Sequence, residues 1–182
     1  MKKVQVHPYN PDWALQFQAL HQRLWSAVSH LATSIEHVGS TAVPGLPAKP
    51  IINVDIVIPT RDALPAITAA LASLGYQHRG NQGIPDRDAY RLDEPIRTQH
   101  LYVCPAGSLP LHNHLVLRDH LRANDTDRDA YARLKQDLAI QFPTDIDSYI
   151  AGKTSFILDI LARYPFTPDS LHKIRQANLR IS

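Results

Sequence analysis

A glycine-serine turn, Gly39-Ser40, and two polar residues inside an apolar strand, Asn53 and Asp55, are the groups in this chain best placed to do chemistry together. Gly39 lets backbone N–H groups approach a phosphate closely, and the hydroxyls of Ser40 and Thr41 add donors. Asn53 and Asp55 stand at i and i+2, so both project from one strand face and could hold a divalent cation there. A phosphate cradle beside a cation site is the equipment of nucleotidyl transfer. The first cation position, however, is an amide. It keeps a carbonyl ligand and carries no charge. At about 4 Å and an effective dielectric near 20, a unit charge attracts a divalent ion by roughly 8 kcal/mol, and Asn53 forgoes that attraction. Polar groups within Ile-Ile-Asn-Val-Asp-Ile-Val-Ile are costly to bury without partners, so each needs a ligand or a structural bond. For Asp55 the structural alternative is a set of backbone N–H groups, or Lys49.

Positioning these groups requires a strand before the turn and a second strand after it. Ser34 to Val38 reads as the first, Gly39 to Pro50 as a loop rich in Gly and Pro, and Ile51 to Ile58 as the second. In the second strand Ile52, Val54, Ile56 and Ile58 face one way, and Ile51, Asn53, Asp55 and Val57 the other. Both faces are largely apolar, as in a central strand covered on both sides. Upstream, Asn10, Pro11 and Asp12 start a helix whose buried stripe is Trp13, Phe17, Leu20, Leu24, Val28 and Leu31. Downstream, Arg61 to Leu74 reads as a helix ended by Gly75, and Tyr76 to Arg79 as a short strand. Asn81 to Arg97 reads as mostly loop. In the strand from His100 to Cys104, His100, Tyr102 and Cys104 share one face. Helices are expected from His112 to Ala123, from about Asp127 and from about Asp145, the last two opened by capping boxes at Thr126/Asp129 and Thr144/Asp147. The order α-β-β-α-β-β-α-α-α gives an α+β fold: a mixed sheet flanked by helices, with a helical C-terminal layer.

Further candidates sit around this frame. Lys49, at the loop exit, could neutralise a phosphate or be a surface lysine. The apolar residues Leu111, Leu115, Val116, Leu117 and Leu121 do not form one stripe, so their helix is largely buried. His112, Asn113, His114, Arg118 and Asp119 therefore either line a pocket or form a buried hydrogen-bond network, with His112 and Asp119 on one face. A zinc site at His100, His112 and His114 would make the chain a metal-dependent hydrolase, but no cysteine or close carboxylate supports it. His112-Asn113-His114 is not the nuclease motif it spells, which uses widely separated residues. Gly152-Lys153-Thr154 is not the end of a phosphate-binding loop, because Asp147 occupies its first glycine position and the segment reads as helix.

The bulk properties set outer limits. The 182 residues suffice for one domain, placed at residues 1–165, with residues 166–182 as an appended tail of uncertain order. A net charge of +2 without a run of like charges argues against nucleic acid or an anionic membrane as partner. The single cysteine, Cys104, excludes an internal disulfide framework and fits a reducing cytoplasm. The start, Met1-Lys2-Lys3-Val4, lacks the apolar run of a signal peptide, and no stretch reaches the ~20 apolar residues of a membrane span.

The run from Glu36 through His37-Val38-Gly39-Ser40-Thr41-Ala42-Val43-Pro44-Gly45-Leu46-Pro47-Ala48-Lys49-Pro50 to Ile51-Ile52 resembles the signature of the GrpB family, also known as UPF0157. The resemblance continues through His100-Leu101-Tyr102-Val103, His112-Asn113-His114-Leu115, Arg118-Asp119-His120-Leu121-Arg122 and Gly152-Lys153, over roughly residues 5 to 163. That family resembles nucleotidyltransferases of the polymerase-beta type. Their pattern has a Gly-Ser turn, two carboxylates at i and i+2 that bind Mg²⁺, and a third carboxylate on a later strand that helps activate a hydroxyl. The resemblance thus implies Asp55 as the second carboxylate, Asn53 in place of the first, and His100 at the third. It implies Mg²⁺, weakened by Asn53, and phosphate contacts from Gly39, Ser40, Thr41, Lys49, His112, Asn113, His114, Arg118 and Lys153. The activity it implies is transfer of a nucleoside monophosphate from a nucleoside triphosphate to a hydroxyl acceptor. The alternative is a catalytically weak or inactive module that binds a nucleotide or related anion, which Asn53 favours.

Overall fold

Five strands form one mixed sheet in the computed structural model, which describes residues 3–93 and 98–179. They are β1 (Ser34–Val38), β2 (Ile52–Ile58), β3 (Gln77–His78), β4 (Asp88–Arg91) and β5 (Gln99–Pro105), in the spatial order β1-β2-β5-β4-β3. β2 runs antiparallel to β1 and parallel to β5, while β4 is antiparallel to β5 and to β3. β2 is thus an interior strand, as its two apolar faces require. The register sets Val38 opposite Asn53 and Asn53 opposite His100, and sets Asp55 between Glu36 and Tyr102.

Each face has its own cover. Helices α1 (Asp12–Val28) and α2 (Leu64–Ser73) pack on one side, where Trp13, Leu24, Val28, Ile67 and Leu71 meet Ile52, Val54, Ile56, Ile58, Leu101 and Val103. Helix α3 (Leu109–Ala123) lies on the other, where Leu111 and Leu115 meet Val57, Cys104 and Tyr102. Helices α4 (Asp125–Gln141) and α5 (Ile146–Leu161) complete the C-terminal layer, with Tyr131 and Ile160 packed on Val43, Leu46 and Leu121. The α+β architecture and the alternation along β2 and β5 follow the sequence reading.

Local chemistry explains where the element boundaries differ from that reading. Asn10 caps α1 as expected, accepting from the Asp12 N–H at 2.9 Å. α4 begins at Asp125 and is capped by Asn124, whose amide oxygen accepts from the Asp127 N–H at 3.0 Å, not by Thr126. α5 is capped by Asp145, which accepts from both the N–H and the hydroxyl of Ser148, not by Thr144. In both cases the side chain nearest the first free N–H groups takes the cap. α3 starts three residues before the expected His112, with Pro110 in its first turn, where a missing N–H costs nothing. The expected loop over 81–97 contains β4. Its Asp88 is buried and paired with His78 at 2.9 Å and with Arg61 at 3.2 Å, so a charged residue is tolerated inside the sheet. Residues 94–97 of that segment lie outside the described residues. The stretch read as a tail carries helix α6 (Pro168–Leu179), anchored by the buried Ile174; residues 180–182 lie outside the described residues. Among the described residues no helix is long and apolar enough to cross a membrane.

Candidate functional site

The Gly39-Ser40 turn opens onto a cavity of about 290 Å³ between the α3 face of the sheet and helices α3, α4 and α5. Gly39 has φ +70° and ψ −172°, a conformation essentially confined to glycine. A Cβ there would lie 2.9 Å from Asn53 Nδ2, so the turn and the strand residue are fitted against each other. Asn53 is held on both sides. Its Nδ2 donates to the Ile51 carbonyl at 3.2 Å, and its Oδ1 faces His100 Nδ1 at 3.1 Å, a pairing in which the imidazole donates. Thr41 also lines the cavity, but its hydroxyl donates to the Ile51 carbonyl at 3.3 Å and lies 3.0 Å from His37 Nε2. Burial, together with the charges of Arg122 and Arg118, pushes His37 down to about 4, so this imidazole is neutral near pH 7 and donates to Thr41.

Asp55 is elsewhere in depth. It is fully buried and does not line the cavity. His114 stands over it, with Nδ1 2.6 Å from Asp55 Oδ2, and donates to the carboxylate while its ring faces the cavity. Asp55 Oδ1 is buried with no hydrogen-bond partner. The side chains at 53 and 55 therefore share a face as expected, but only Asn53 reaches the space a ligand would enter. Among the described residues the partner of Asp55 is His114, and not backbone N–H groups or Lys49, the two structural alternatives.

These residues do not fit the Mg²⁺ site that the sequence pattern implies. One Asp55 oxygen is taken by an imidazole, the amide oxygen of Asn53 is taken by another, and the carboxylate is sealed from the cavity. Among the described residues no group of three or more His, Cys, Asp or Glu side chains could hold a metal ion. The same observation removes the zinc site at His100, His112 and His114. His112 turns away and stacks on Phe166, ring centroids 4.5 Å apart, and Asn113 is likewise outside the cavity lining. Asp119 does not meet His112; it pairs with Arg118 at 2.7 Å. Of the residues singled out in the sequence, Gly39, Ser40, Thr41, Lys49, Asn53, His100, His114, Arg118 and Lys153 line the cavity; Asp55, His112 and Asn113 do not.

Cations dominate the cavity. Arg118 enters from α3, already paired with Glu36 at 2.9 Å. Arg87 lies over Tyr102, its guanidinium carbon 4.4 Å from the ring centre, with its Nε buried and without a hydrogen-bond partner among the described residues. Lys49 and Lys153 approach one ring, that of Tyr149, at 5.8 and 4.5 Å. Lys135, from α4, lies 4.9 Å from the Tyr131 ring, is 2% exposed, and donates to the Pro47 carbonyl. Burial, reinforced by Lys153, pushes the Lys135 amine down to about 7, and burial with Lys49 does the same to Lys153. Among the described residues no carboxylate lines this space. Sequence reasoning missed Lys135, Arg87 and the tyrosines. The one signal available was the spacing of the single α4 lysine, four residues after Tyr131 and three before Leu138, which puts it on the side of the helix those two residues bury.

Comparison with known proteins now bears on this geometry. The chain belongs to the GrpB family: the family profile described as GrpB protein matches residues 3–163. It is 34% identical over 156 residues to the UPF0157 protein YqkA of Bacillus subtilis, covering 86% of this chain and only 46% of that protein. It is 35% identical over 165 residues to the UPF0157 protein PA4798 of Pseudomonas aeruginosa, covering 88% of this chain and 67% of that one. The crystal structure of conserved protein GrpB from Enterococcus faecalis superposes with a TM-score of 0.79 at 30% identity, over 93% of this chain and 98% of that one. The Cid1 poly(U) polymerase bound to Mg 3'-dATP superposes with a TM-score of 0.55 at 12% identity, over 84% of this chain and 49% of that one, a likeness of fold alone. The fold is therefore nucleotidyltransferase-like.

Proposed function

We propose that this GrpB-family chain binds a nucleoside triphosphate, or a related phosphorylated small molecule, in the cavity beside the Gly39-Ser40 turn. It does so as a binding module without the two-metal chemistry of nucleotidyl transfer. The observation that carries the reading is the pairing of a cation-rich cavity with a sealed carboxylate. Lys49, Arg87, Lys135 and Lys153 face one space with no carboxylate lining it among the described residues, while Asp55 is covered by His114. At about 4 Å and an effective dielectric near 20, each lysine attracts a phosphate monoanion by roughly 4 kcal/mol before desolvation. That is ample to select anions and offers nothing to a cation. The Cid1 likeness supports a nucleotide as the phosphorylated ligand, because that protein is described with a bound nucleotide.

One observation favours a second reading, transfer of the nucleoside monophosphate to a hydroxyl acceptor. Asp55 Oδ1 is a buried, unpartnered carboxylate oxygen, a group that a hydrogen-bonded core would not leave vacant. Transfer with Mg²⁺ at Asp55 and Asn53 requires His114 to leave the carboxylate.

Titration calorimetry with nucleoside triphosphates, with and without Mg²⁺, tests both readings. The expected result is binding tighter than millimolar that is indifferent to Mg²⁺ in the native chain and in Asn53→Asp, and that gains Mg²⁺ dependence only when Asn53→Asp is combined with His114→Ala. Binding that needs Mg²⁺ in the native chain would favour transfer. No binding in either condition would remove both.

A further inference from the structure

The wall built by α4 and α5 is an unusual place for lysines. Lys135 and Lys153 reach into the cavity over two tyrosine rings, and Lys49 joins Lys153 over the second ring. Lys135 has one hydrogen-bond acceptor, the Pro47 carbonyl, and Lys153 has no hydrogen bond or ion pair among the described residues. A protonated amine carries three donors, so both lysines hold donors with no partner. Tyrosine faces stabilise a cation only modestly, by about 0.5–2 kcal/mol. Nothing among the described residues explains why two amines with unmet donors are gathered in this wall. A ligand with several oxygen acceptors and negative charge does explain it.

We infer that this wall is a proton-coupled polyphosphate subsite: Lys135 and Lys153 are charged while a phosphate group is seated against them and give up protons when it leaves. The inference rests on the reading that the cavity takes a phosphorylated ligand, and it assigns recognition to the phosphates rather than to the nucleoside. The size agrees. A cavity of about 290 Å³ lies at the lower edge of small-molecule sites. It holds a chain of phosphates, with any nucleoside extending outward.

Among the described residues the charged side chains that line the cavity are cationic. Facing the amines are Lys49 from the loop before β2, and the Tyr131 and Tyr149 phenols from α4 and α5. Burial pushes the Tyr149 phenol up to about 12 and raises Tyr131 further, so both stay neutral near pH 8. The rest of the lining adds Arg118 and His114 from α3, Arg87 from the segment before β4, and His100 from β5. Without a ligand, burial holds each lysine at about 7, helped by the charge of Lys153 on Lys135 and of Lys49 on Lys153. A phosphate reverses both effects, so at pH 8 its arrival must draw protons from solvent.

The probe is inorganic tripolyphosphate, titrated into the full chain at pH 8 in buffers of different protonation enthalpy. The expected result is uptake of about one to two protons per ligand, with affinity falling roughly tenfold per pH unit above 7 for each proton taken up. Lys135→Met and Lys153→Met should each weaken binding about tenfold or more. Lys153→Arg keeps the charge and the fold while removing the titration, so it should bind tripolyphosphate with reduced proton uptake. Binding without proton uptake, or uptake unchanged in both Lys153→Arg and Lys135→Met, would overturn the inference. If tripolyphosphate binds with uptake while no nucleoside triphosphate binds, the subsite stands and the nucleotide reading falls. If nucleoside triphosphates bind the native and lysine variants equally and without uptake, the nucleotide reading stands and the subsite falls. Failure of both ligands to bind overturns both.

Discussion

The buried lysine of α4 makes the ligand-free protein more stable as the solution becomes more alkaline, and Lys135→Met should remove its share of that gain while the share of Lys153 remains. The Lys135 amine drops from its ordinary 10.5 to about 7 on folding, driven by burial and then by the charge of Lys153. Between about pH 7 and 10.5 the unfolded chain therefore holds a proton at this site that the folded chain has released. Stability must rise with pH across that window, because deprotonation relieves the folded state alone. At 1.36 kcal/mol per pH unit, the gain between pH 6.5 and 8.5 comes to about 2 kcal/mol, allowing for incomplete titration near pH 7. The side chain is 2% exposed, so solvent screening takes little from this figure. Lys135→Met keeps an unbranched stem of similar length and cannot titrate. It leaves the Pro47 carbonyl without its donor, a cost of about 1 kcal/mol that does not vary with pH. Urea unfolding of both proteins at pH 6.5, 7.5 and 8.5 measures the effect. The native chain should gain about 2 kcal/mol relative to the variant over this range. Parallel pH profiles would refute the reasoning, since Lys135 would then titrate alike in the folded and unfolded chains. The window lies above the acid titration of His37, which is pushed down to about 4, so that group does not intrude.

Three further outcomes follow from side-chain geometry. His114→Ala leaves the fully buried Asp55 carboxylate without its 2.6 Å donor; a loss of about 3 kcal/mol in urea unfolding at pH 7 is expected, and a loss under about 0.5 kcal/mol would show that the pair is not structural. Gly39→Ala forces a Cβ to 2.9 Å from Asn53 Nδ2 in a glycine-only backbone region; it should cost about 2–3 kcal/mol and weaken nucleotide binding, and normal binding would show that the turn is not part of the site. Gly152→Val drives side-chain atoms into Leu138, whose Cδ2 would clash with even a bare Cβ; a loss of about 2–3 kcal/mol is expected, partly restored by adding Leu138→Ala, and no restoration would refute the helix-contact role of Gly152.

The contrast between Asn53 and Asp55 shows what a strand pattern can and cannot carry. Alternation fixes the direction of a side chain, so the shared face of Asn53, Asp55, His100 and Tyr102 was legible, as was the apolar opposite face, though not that α1 and α2 are what cover it. Alternation says nothing about depth. Asp55 lies one pleat further along β2, under α3, and His114 closes over it, whereas Asn53 stays at the edge of the cavity beside Gly39. The α3 segment was legible as a buried helix but not as an oriented one. Its apolar residues surround the axis, so only docking decides that His114 and Arg118 turn inward while His112 finds Phe166. Lys135 was invisible for the reverse reason. It lies in a helix rich in Asp and Arg, where a lysine reads as solvated, and only the approach of the 43–49 loop and α5 encloses it. β4 escaped because its strand signal is four residues long and begins with a carboxylate whose partners, His78 and Arg61, come from other elements. In each case the missing information is a contact between distant segments, and the same contacts turn a site that reads as a cation clamp into a cavity lined by lysine and arginine side chains, with no carboxylate among its described lining residues. If the carboxylate is withdrawn and the lysines are gathered by the same packing, then a single substitution at Asn53 cannot restore metal chemistry. It must be joined by loss of His114 from Asp55 before Mg²⁺ meets two carboxylates in the open.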